Sequence, residues 1–289
     1  MPKVAVVTDS VATIPKNIME ELDIRWAAYY IHRGQEVLRD QVTIDCASFY
    51  CWLPHAEALP TTANPSSADY ENIYQELAEE GAQEIVSIHI TSKGSGAFQA
   101  ATIAKETILE RLPNLKIEVI DSLNVSMCQG WMVIEAARAA FAGASFETII
   151  QKVRSMIPIT QMLQTADTLK YLYLGGRIGK AKHLVGSLLN IKPIISMKDG
   201  EIIPLGQARS RQKVYQMIVE KIEGMIGSRG KIKVAYVHAA ALEEIELLRN
   251  LVEKHITVVE SLVAELPPAL GVHTGPSTAG LCYFPVSED

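Results

Sequence analysis

The sequence predicts an α/β protein of two lobes, with a mostly parallel sheet in the first lobe and a mixed α/β arrangement in the second. Three observations lead to this class. Short apolar runs of strand length alternate with longer stretches of helical periodicity through the first half. A hairpin signal and a second strand–helix–strand unit follow in the second half. At 289 residues the chain exceeds one small domain, so two linked lobes are the expected division.

Lys3 to Asp9 reads as a buried strand that stops at Thr8-Asp9-Ser10, and Pro15 then opens a helical pattern through Ile18 and Leu22. Similar apolar strands are expected at Glu84 to Ile90 and Ile117 to Asp121, separated by helices at Ser67 to Glu80 and Ala97 to Leu112. A long apolar helix around Trp131 to Phe141 is followed by Gly143, another helical run and Pro158, where the lobes are expected to divide into 1–158 and 159–289. Beyond it, Pro193 to Met197 and Glu201 to Leu205 flank Asp199-Gly200, a hairpin turn because both central positions tolerate positive φ. Strand Ile232 to His238, helix Leu242 to Lys254 and strand Thr257 to Leu262 make a βαβ unit, and the chain finishes with Gly271 to Phe284. No internal repeat and no low-complexity segment interrupts this order.

Hydrophobic residues make up 48% and charged residues 21%, so no polar tract is left to stay unfolded. A net charge of -6 opposes a phosphate backbone, and without a run of five or six Lys/Arg nucleic-acid binding is not expected. Met1 to Asp9 has a short apolar run followed at once by an acid, matching neither a secretory leader nor a spanning helix, so the expected location is the cytoplasm. Cys46, Cys51, Cys128 and Cys282 include no Cys-x-x-Cys pair, which argues for reduced, mostly packed thiols and no zinc site. No metal or cofactor is implied.

In an open parallel sheet, ligands gather beyond the carboxyl ends of the strands. Four polar segments answer to that position: Asp9-Ser10; Thr61-Thr62 with Asn64-Pro65-Ser66; Thr91-Ser92-Lys93-Gly94-Ser95-Gly96; and Asp121-Ser122. The glycines around Ser95 let backbone N–H groups approach a ligand, and the helix from Ala97 turns its positive end there, which suits an anion. A serine simply capping that helix would account for the same residues. Thr61 and Thr62 offer hydroxyls that donate to a carboxylate without burying a charge, although a turn and helix start is the plainer reading. His273, within Gly271-Val272-His273-Thr274-Gly275-Pro276, is set to be shown to a cleft by a glycine-rich turn. Gly175-Gly176-Arg177-Ile178 reads as a tight turn aiming a guanidinium, and Arg209 and Arg211 follow the hairpin, with a solvated charge the plainer reading for all three. Gly-x-Ser-x-Gly, the phosphate loop and His-Glu-x-x-His are all missing.

Taken in order, these segments resemble the DegV family. The resemblance rests on Thr8-Asp9-Ser10, the Thr62 to Ser66 turn, Ser95-Gly96, Val119-Ile120-Asp121-Ser122, Leu174-Gly175-Gly176-Arg177-Ile178, Leu189-Asn190-Ile191-Lys192-Pro193-Ile194, and Gly271 to Pro276. It implies a two-lobed fold that binds a long-chain fatty acid and serves as carrier for a separate ATP-dependent fatty acid kinase, with transient membrane contact. The carboxylate would sit at the cleft between the lobes and the acyl tail in a slot within one lobe. By motif position, Thr62 and Ser95 would hold the head group with His273 beside them, Arg177 would belong to the same site, and Thr61 and Gly96 would flank it. The chain departs from the family pattern at Ala63 and Asn64, where Ser and Gln are usual, and at Ala97, where Thr is usual.

A tail of about sixteen carbons fits this physically, since about 0.8 kcal/mol per buried CH₂ offsets about 10 kcal/mol of association cost. Tail length and unsaturation would then dominate selectivity. Two other readings stand beside the carrier: a phosphotransferase or hydrolase using Ser95 as nucleophile, His273 as base and Asp121 as orienting acid, and a regulatory lipid sensor whose partner is a protein.

Overall fold

The computed structural model describes residues 3–227 and 230–286, and for 185–190 the backbone alone. Its strands are β1 (Val4–Asp9), β2 (Arg25–Ala27), β3 (Tyr30–Arg33), β4 (Glu36–Arg39), β5 (Thr61–Ala63), β6 (Glu84–His89) and β7 (Lys116–Asp121) in the first half. β8 (Gln161–Thr165), β9 (Lys192–Lys198), β10 (Glu201–Ala208), β11 (Lys231–His238), β12 (Thr257–Glu265) and β13 (Ala279–Val286) follow.

β1 is buried at every position because both faces of its sheet are covered. Val4 and Val6 join the core around the helix Met127–Phe141, while Ala5 and Val7 join the core beneath the helices Ser67–Glu79 and Ala97–Arg111. The sheet runs β2-β1-β6-β7 with every pairing parallel, as the alternating pattern predicts. Ser66 and Asp69 close a reciprocal capping box at the start of Ser67–Glu79.

The second sheet runs β10-β9-β8-β13-β11-β12 and is mixed, with only β11 and β12 parallel among its pairs. The β9–β10 turn is the one foreseen: Asp199 and Gly200 both have positive φ, at 51° and 81°. One face of this sheet, including Leu163, Ile194, Val234 and Leu281, packs beneath the helices Arg211–Ile226 and Leu242–His255. The other face carries Met162, Ile195, Ala235, Val237 and Cys282, which share one continuous core with Met127–Phe141 and β1. Trp131, fully buried, donates from Nε1 to the Cys282 carbonyl at 3.1 Å and ties the long helix to β13.

A third, antiparallel sheet of order β4-β3-β5 was not foreseen. It corrects the reading of Thr61-Thr62 as a turn, since both lie in β5 and Thr62 pairs with Ile31. His273 is also relocated: the residues read as a glycine-rich turn form the end of a helix, Pro268–Thr274. Arg211 is not a solvated charge, because its side chain is 13% exposed and pairs with Asp167 at 3.0 Å. Arg209 is exposed, as expected. Of the cysteines, Cys128 and Cys282 are buried side by side, Cys46 is half-buried and Cys51 is exposed. Among the described residues, no helix is long and apolar enough to cross a membrane, and no three His, Cys, Asp or Glu side chains cluster to hold a metal.

Candidate functional site

A cavity of about 470 Å³ lies between the carboxyl ends of the parallel strands and the face of the mixed sheet that carries Met162 and Ile195, within the size range of small-molecule sites. Val11 after β1, Ile90, Thr91 and Lys93 to Gly96 after β6, and Val125-Ser126 after β7 supply one wall. Met162 and Gln164 from β8, Ile195 and Met197 from β9, and Ile202 from β10 supply the opposite wall. The small sheet and the helix Pro268–Thr274 close the space with Thr62, Leu270 and His273. Residues from both halves of the chain therefore line the cavity.

Four of the six residues singled out for the site converge where the cavity passes from its exposed mouth to its buried interior. Thr62 Oγ1 and His273 Nε2 are hydrogen-bonded at 2.8 Å. Ser95 Oγ accepts from the Ala97 amide at 3.3 Å and lies 2.5 Å from the Tyr29 hydroxyl. Arg177 donates to the Gly175 carbonyl at 2.7 Å and to the Gly94 carbonyl at 3.4 Å, joining the Gly-Gly-Arg turn to the Ser95 loop. Gly96, at the start of the helix Ala97–Arg111, also lines the cavity; a Cβ there would meet Asn64 Oδ1 at 2.9 Å. Thr61 is not brought in: strand alternation sends it to the side opposite Thr62, exposed and away from the cavity.

His273 is held from several directions. Its helix is anchored at the N-terminal turn, where the Ala269 amide donates to Asp40 Oδ1 at 3.1 Å. Behind it, a Cβ on Gly271 would strike Phe49 and Tyr50 of the helix Cys46–Trp52, so glycine is what lets the two helices meet. A Cβ on Gly175 would lie 2.3 Å from Nδ1, so the Gly-Gly-Arg turn makes room for the ring. Burial, with a smaller contribution from the Arg177 charge, pushes the imidazole down to about 4. At neutral pH the ring is therefore uncharged, and its Nδ1 has no hydrogen-bond partner among the described residues.

Tyr29 was not singled out from the sequence. Its phenol is buried and its pKa is raised, first by desolvation and then by the Asp9 charge, so it stays protonated. The Tyr29 and Ser95 hydroxyls share a hydrogen bond in which either can donate; with Tyr29 as donor, the serine hydroxyl is free to donate toward the cavity. The signal in the sequence is the run Trp26-Ala27-Ala28-Tyr29-Tyr30-Ile31, which has the aromatic and β-branched character of a strand.

Two of the polar segments nominated by position lie beneath the site and brace it. Asp9 accepts from Gln129 Nε2 at 3.1 Å and sits 3.1 Å from His89 Nδ1, while Ser10 donates to Asp40 at 2.6 Å. Asp121 accepts from the Ser92 and Leu123 amides and fixes the loops after β6 and β7. Asp121 therefore does not stand behind His273, and Ser95 and His273 make no hydrogen bond to each other; the nucleophile–base–acid arrangement is not assembled. Asp40 is fully buried, and desolvation raises its pKa to about 7 despite its bonds to Ser10 and Ala269. In the Leu189 to Ile194 segment, the side chains of Leu189 and Asn190 lie outside the described residues.

Burial grades along the cavity. Gly96, Lys93 and Arg177 are exposed at the mouth, Thr62, Ser95 and His273 are half-buried, and Val11, Met162, Ile195, Leu266 and Leu270 are buried. Glu201, the carboxylate among the lining residues, is engaged by Lys180 at 3.0 Å. Hydroxyl donors and a guanidinium at one end, with an aliphatic interior at the other, form a receptor for an amphiphile with an anionic head.

The family model described as "Uncharacterised protein, DegV family COG1307" matches residues 3–286. A DegV domain-containing protein of Halalkalibacterium halodurans is 32% identical over 286 residues, covering 98% of this chain and 99% of the relative. One of Clostridium perfringens is 31% identical over 280 residues, covering 97% and 98%. Among solved structures, a fatty-acid-binding DegV family protein of Thermus thermophilus superposes with a TM-score of 0.92 at 29% identity, covering 99% of this chain and 100% of that one. DegV of Bacillus subtilis, a fatty acid binding protein, does so with 0.87 at 29% identity, covering 98% and 99%. A stearic-acid-binding protein of Eubacterium ventriosum gives 0.86 at 27% identity, covering 98% of each chain. The chain belongs to the DegV family, and its fold is that of these relatives.

Proposed function

We propose that this DegV-family chain binds one long-chain fatty acid, with the carboxylate among Thr62, Ser95, His273 and Arg177 and the tail along Met162, Ile195, Ile202 and Leu270. The observation that carries the reading is the continuity of the cavity, in which neutral hydrogen-bonding groups, just inside a mouth that carries Lys93 and Arg177, open directly onto a mainly aliphatic interior. The division near residue 158 then separates a lobe that supplies Thr62 and Ser95 from one that supplies His273 and much of the tail wall. Fatty-acid-binding relatives of the same fold support the ligand class.

The chain acts as a cytoplasmic carrier that presents the carboxylate to a separate ATP-dependent kinase, taking up its cargo through transient membrane contact. Two features support this: the sequence has no phosphate loop of its own, and Gly96 and Arg177 leave the head-group end exposed. Mass spectrometry of lipid extracted from the freshly purified protein tests the ligand. One fatty acid per chain is expected; protein that is empty and cannot be loaded after delipidation would overturn the reading. For the carrier step, Ser95→Ala should lower phosphorylation of the loaded acid by a cognate kinase. Unchanged turnover would remove Ser95 from that role.

A further inference from the structure

We infer that Gln164 recognises an oxygen on the acyl chain, so that the site prefers a hydroxy- or keto-substituted long-chain acid to the unsubstituted acid of the same length. This rests on the fatty-acid reading above and adds a second polar contact, separate from the head group.

Gln164 occupies a position where the fold asks for an aliphatic residue. On β8, alternation turns Leu163 toward the core beneath Arg211–Ile226 and turns Met162 and Gln164 into the cavity. Gln164 pairs in register with Ile195 of β9, another cavity residue, and Met162 is its aliphatic neighbour on the same face. The residue is 3% exposed, yet its side-chain amide makes no hydrogen bond to any described residue, and neither amide atom is sealed off within the protein. The amide is therefore reached from the cavity.

Space has been made for it on the other side. Gly280 of β13 pairs directly with Gln164, and a Cβ there would lie 2.6 Å from Gln164 Cγ. The side chain thus lies across a position without a side chain, which holds it within the cavity.

An amide carries two donors and one acceptor, so a chain hydroxyl can both accept from it and donate to it, and a keto oxygen can accept. An unsubstituted chain would cover the amide with methylenes and leave its polar atoms unpaired, a loss that the oxygenated chain avoids. Placing one hydrogen bond where a buried group would otherwise lack a partner is expected to tighten binding about tenfold.

The test is competition binding to delipidated full-length protein, using hexadecanoic acid and a positional series of its hydroxy derivatives. At one position or two neighbouring ones, the hydroxy acid should bind about tenfold tighter than hexadecanoic acid. Gln164→Leu should abolish that advantage while binding hexadecanoic acid at least as well. If Gln164→Leu does not fold, Gln164→Met gives the same comparison. The inference is overturned if no hydroxy acid outcompetes hexadecanoic acid, if the preference survives in the variant, or if the variant weakens every acid equally, which would put Gln164 on the carboxylate. In those three cases binding of unsubstituted acid leaves the fatty-acid reading intact. If no acid of the series binds wild-type protein, both fall.

Discussion

Replacing Gly175 by alanine should weaken fatty-acid binding without weakening the fold. The glycine has φ -75° and ψ -5°, which alanine adopts without strain, and the substitution reduces the freedom of the unfolded chain. The added Cβ, however, would sit 2.3 Å from His273 Nδ1 and 3.0 Å from the Tyr171 carbonyl. Ordinary contact needs about 3.5 Å, so the ring must retreat by about 1 Å. The Thr62–His273 bond, now 2.8 Å, would then leave hydrogen-bonding range or lose its alignment. A neutral bond of this kind contributes about 1 kcal/mol, and the freed threonine hydroxyl no longer points at the head group, so affinity should fall about five- to tenfold. Titration calorimetry with a long-chain acid reads the affinity, and urea unfolding reads the stability. Gly176→Ala supplies the reverse pattern: its φ is 71° with nothing near the new Cβ, so it should cost about 1 kcal/mol of stability and leave affinity alone. Combined with His273→Ala, Gly175→Ala should add nothing further, because both act on one contact. Full affinity in Gly175→Ala, or additive loss in the double variant, would refute the assignment of His273 to head-group support.

Three further outcomes follow from the same contacts. Asp40 has a folded pKa of about 7 against an ordinary 3.8, so its contribution is fully present below about pH 4 and is lost as pH rises to about 7; relative to Asp40→Asn, wild type should lose about 4 kcal/mol across that window in urea unfolding at stepped pH. The His273 imidazole should titrate near 4 in ligand-free protein, as read by NMR of the ring, and move upward when a carboxylate is bound beside it; a midpoint near 6.5 in the free protein would contradict its burial. Gly200→Ala should speed fatty-acid release in stopped-flow displacement, because a Cβ there would lie 2.5 Å from Thr91 Oγ1 and break the 3.0 Å bond by which Thr91 holds the β9–β10 turn against the Ser95 loop.

Apolar runs revealed the strands buried on both faces. β1, β6, β7 and the β9–β10 hairpin were legible because runs rich in Val and Ile, or a turn with two positive φ values, leave few alternatives; β1 and β6 are buried at every position, β7 only in part. β8 was not legible: Gln161, Gln164 and Thr165 give it the polarity of a loop, although it lies inside the mixed sheet. Of these three polar residues among its five, Gln164 looks misplaced until the cavity is seen. The glycines around His273 misled for another reason. Gly271 is required by helix packing against Phe49 and Tyr50, and Gly275, with φ 74°, ends the helix. From sequence, a packing glycine and a turn glycine look alike. The hydroxyls of Thr61 and Thr62 were likewise inseparable until β5 fixed the alternation that turns one inward and one outward.

The division of labour within the cavity decides which substitutions matter for which property. In the proposed complex neutral hydroxyls and an uncharged imidazole would meet the head group, and the exposed Arg177 guanidinium is screened by water, so no buried ion pair would contribute to affinity. Affinity must come mainly from the tail, at about 0.8 kcal/mol for each buried methylene, and removing one hydroxyl at the mouth costs little more than one methylene. Head-group substitutions should therefore change the orientation of the carboxylate more than the amount of acid bound. A variant such as Ser95→Ala that retains most of its ligand but presents it poorly is the outcome that separates a carrier from a simple store. Loss of binding in proportion to loss of presentation would place the energy at the head group instead.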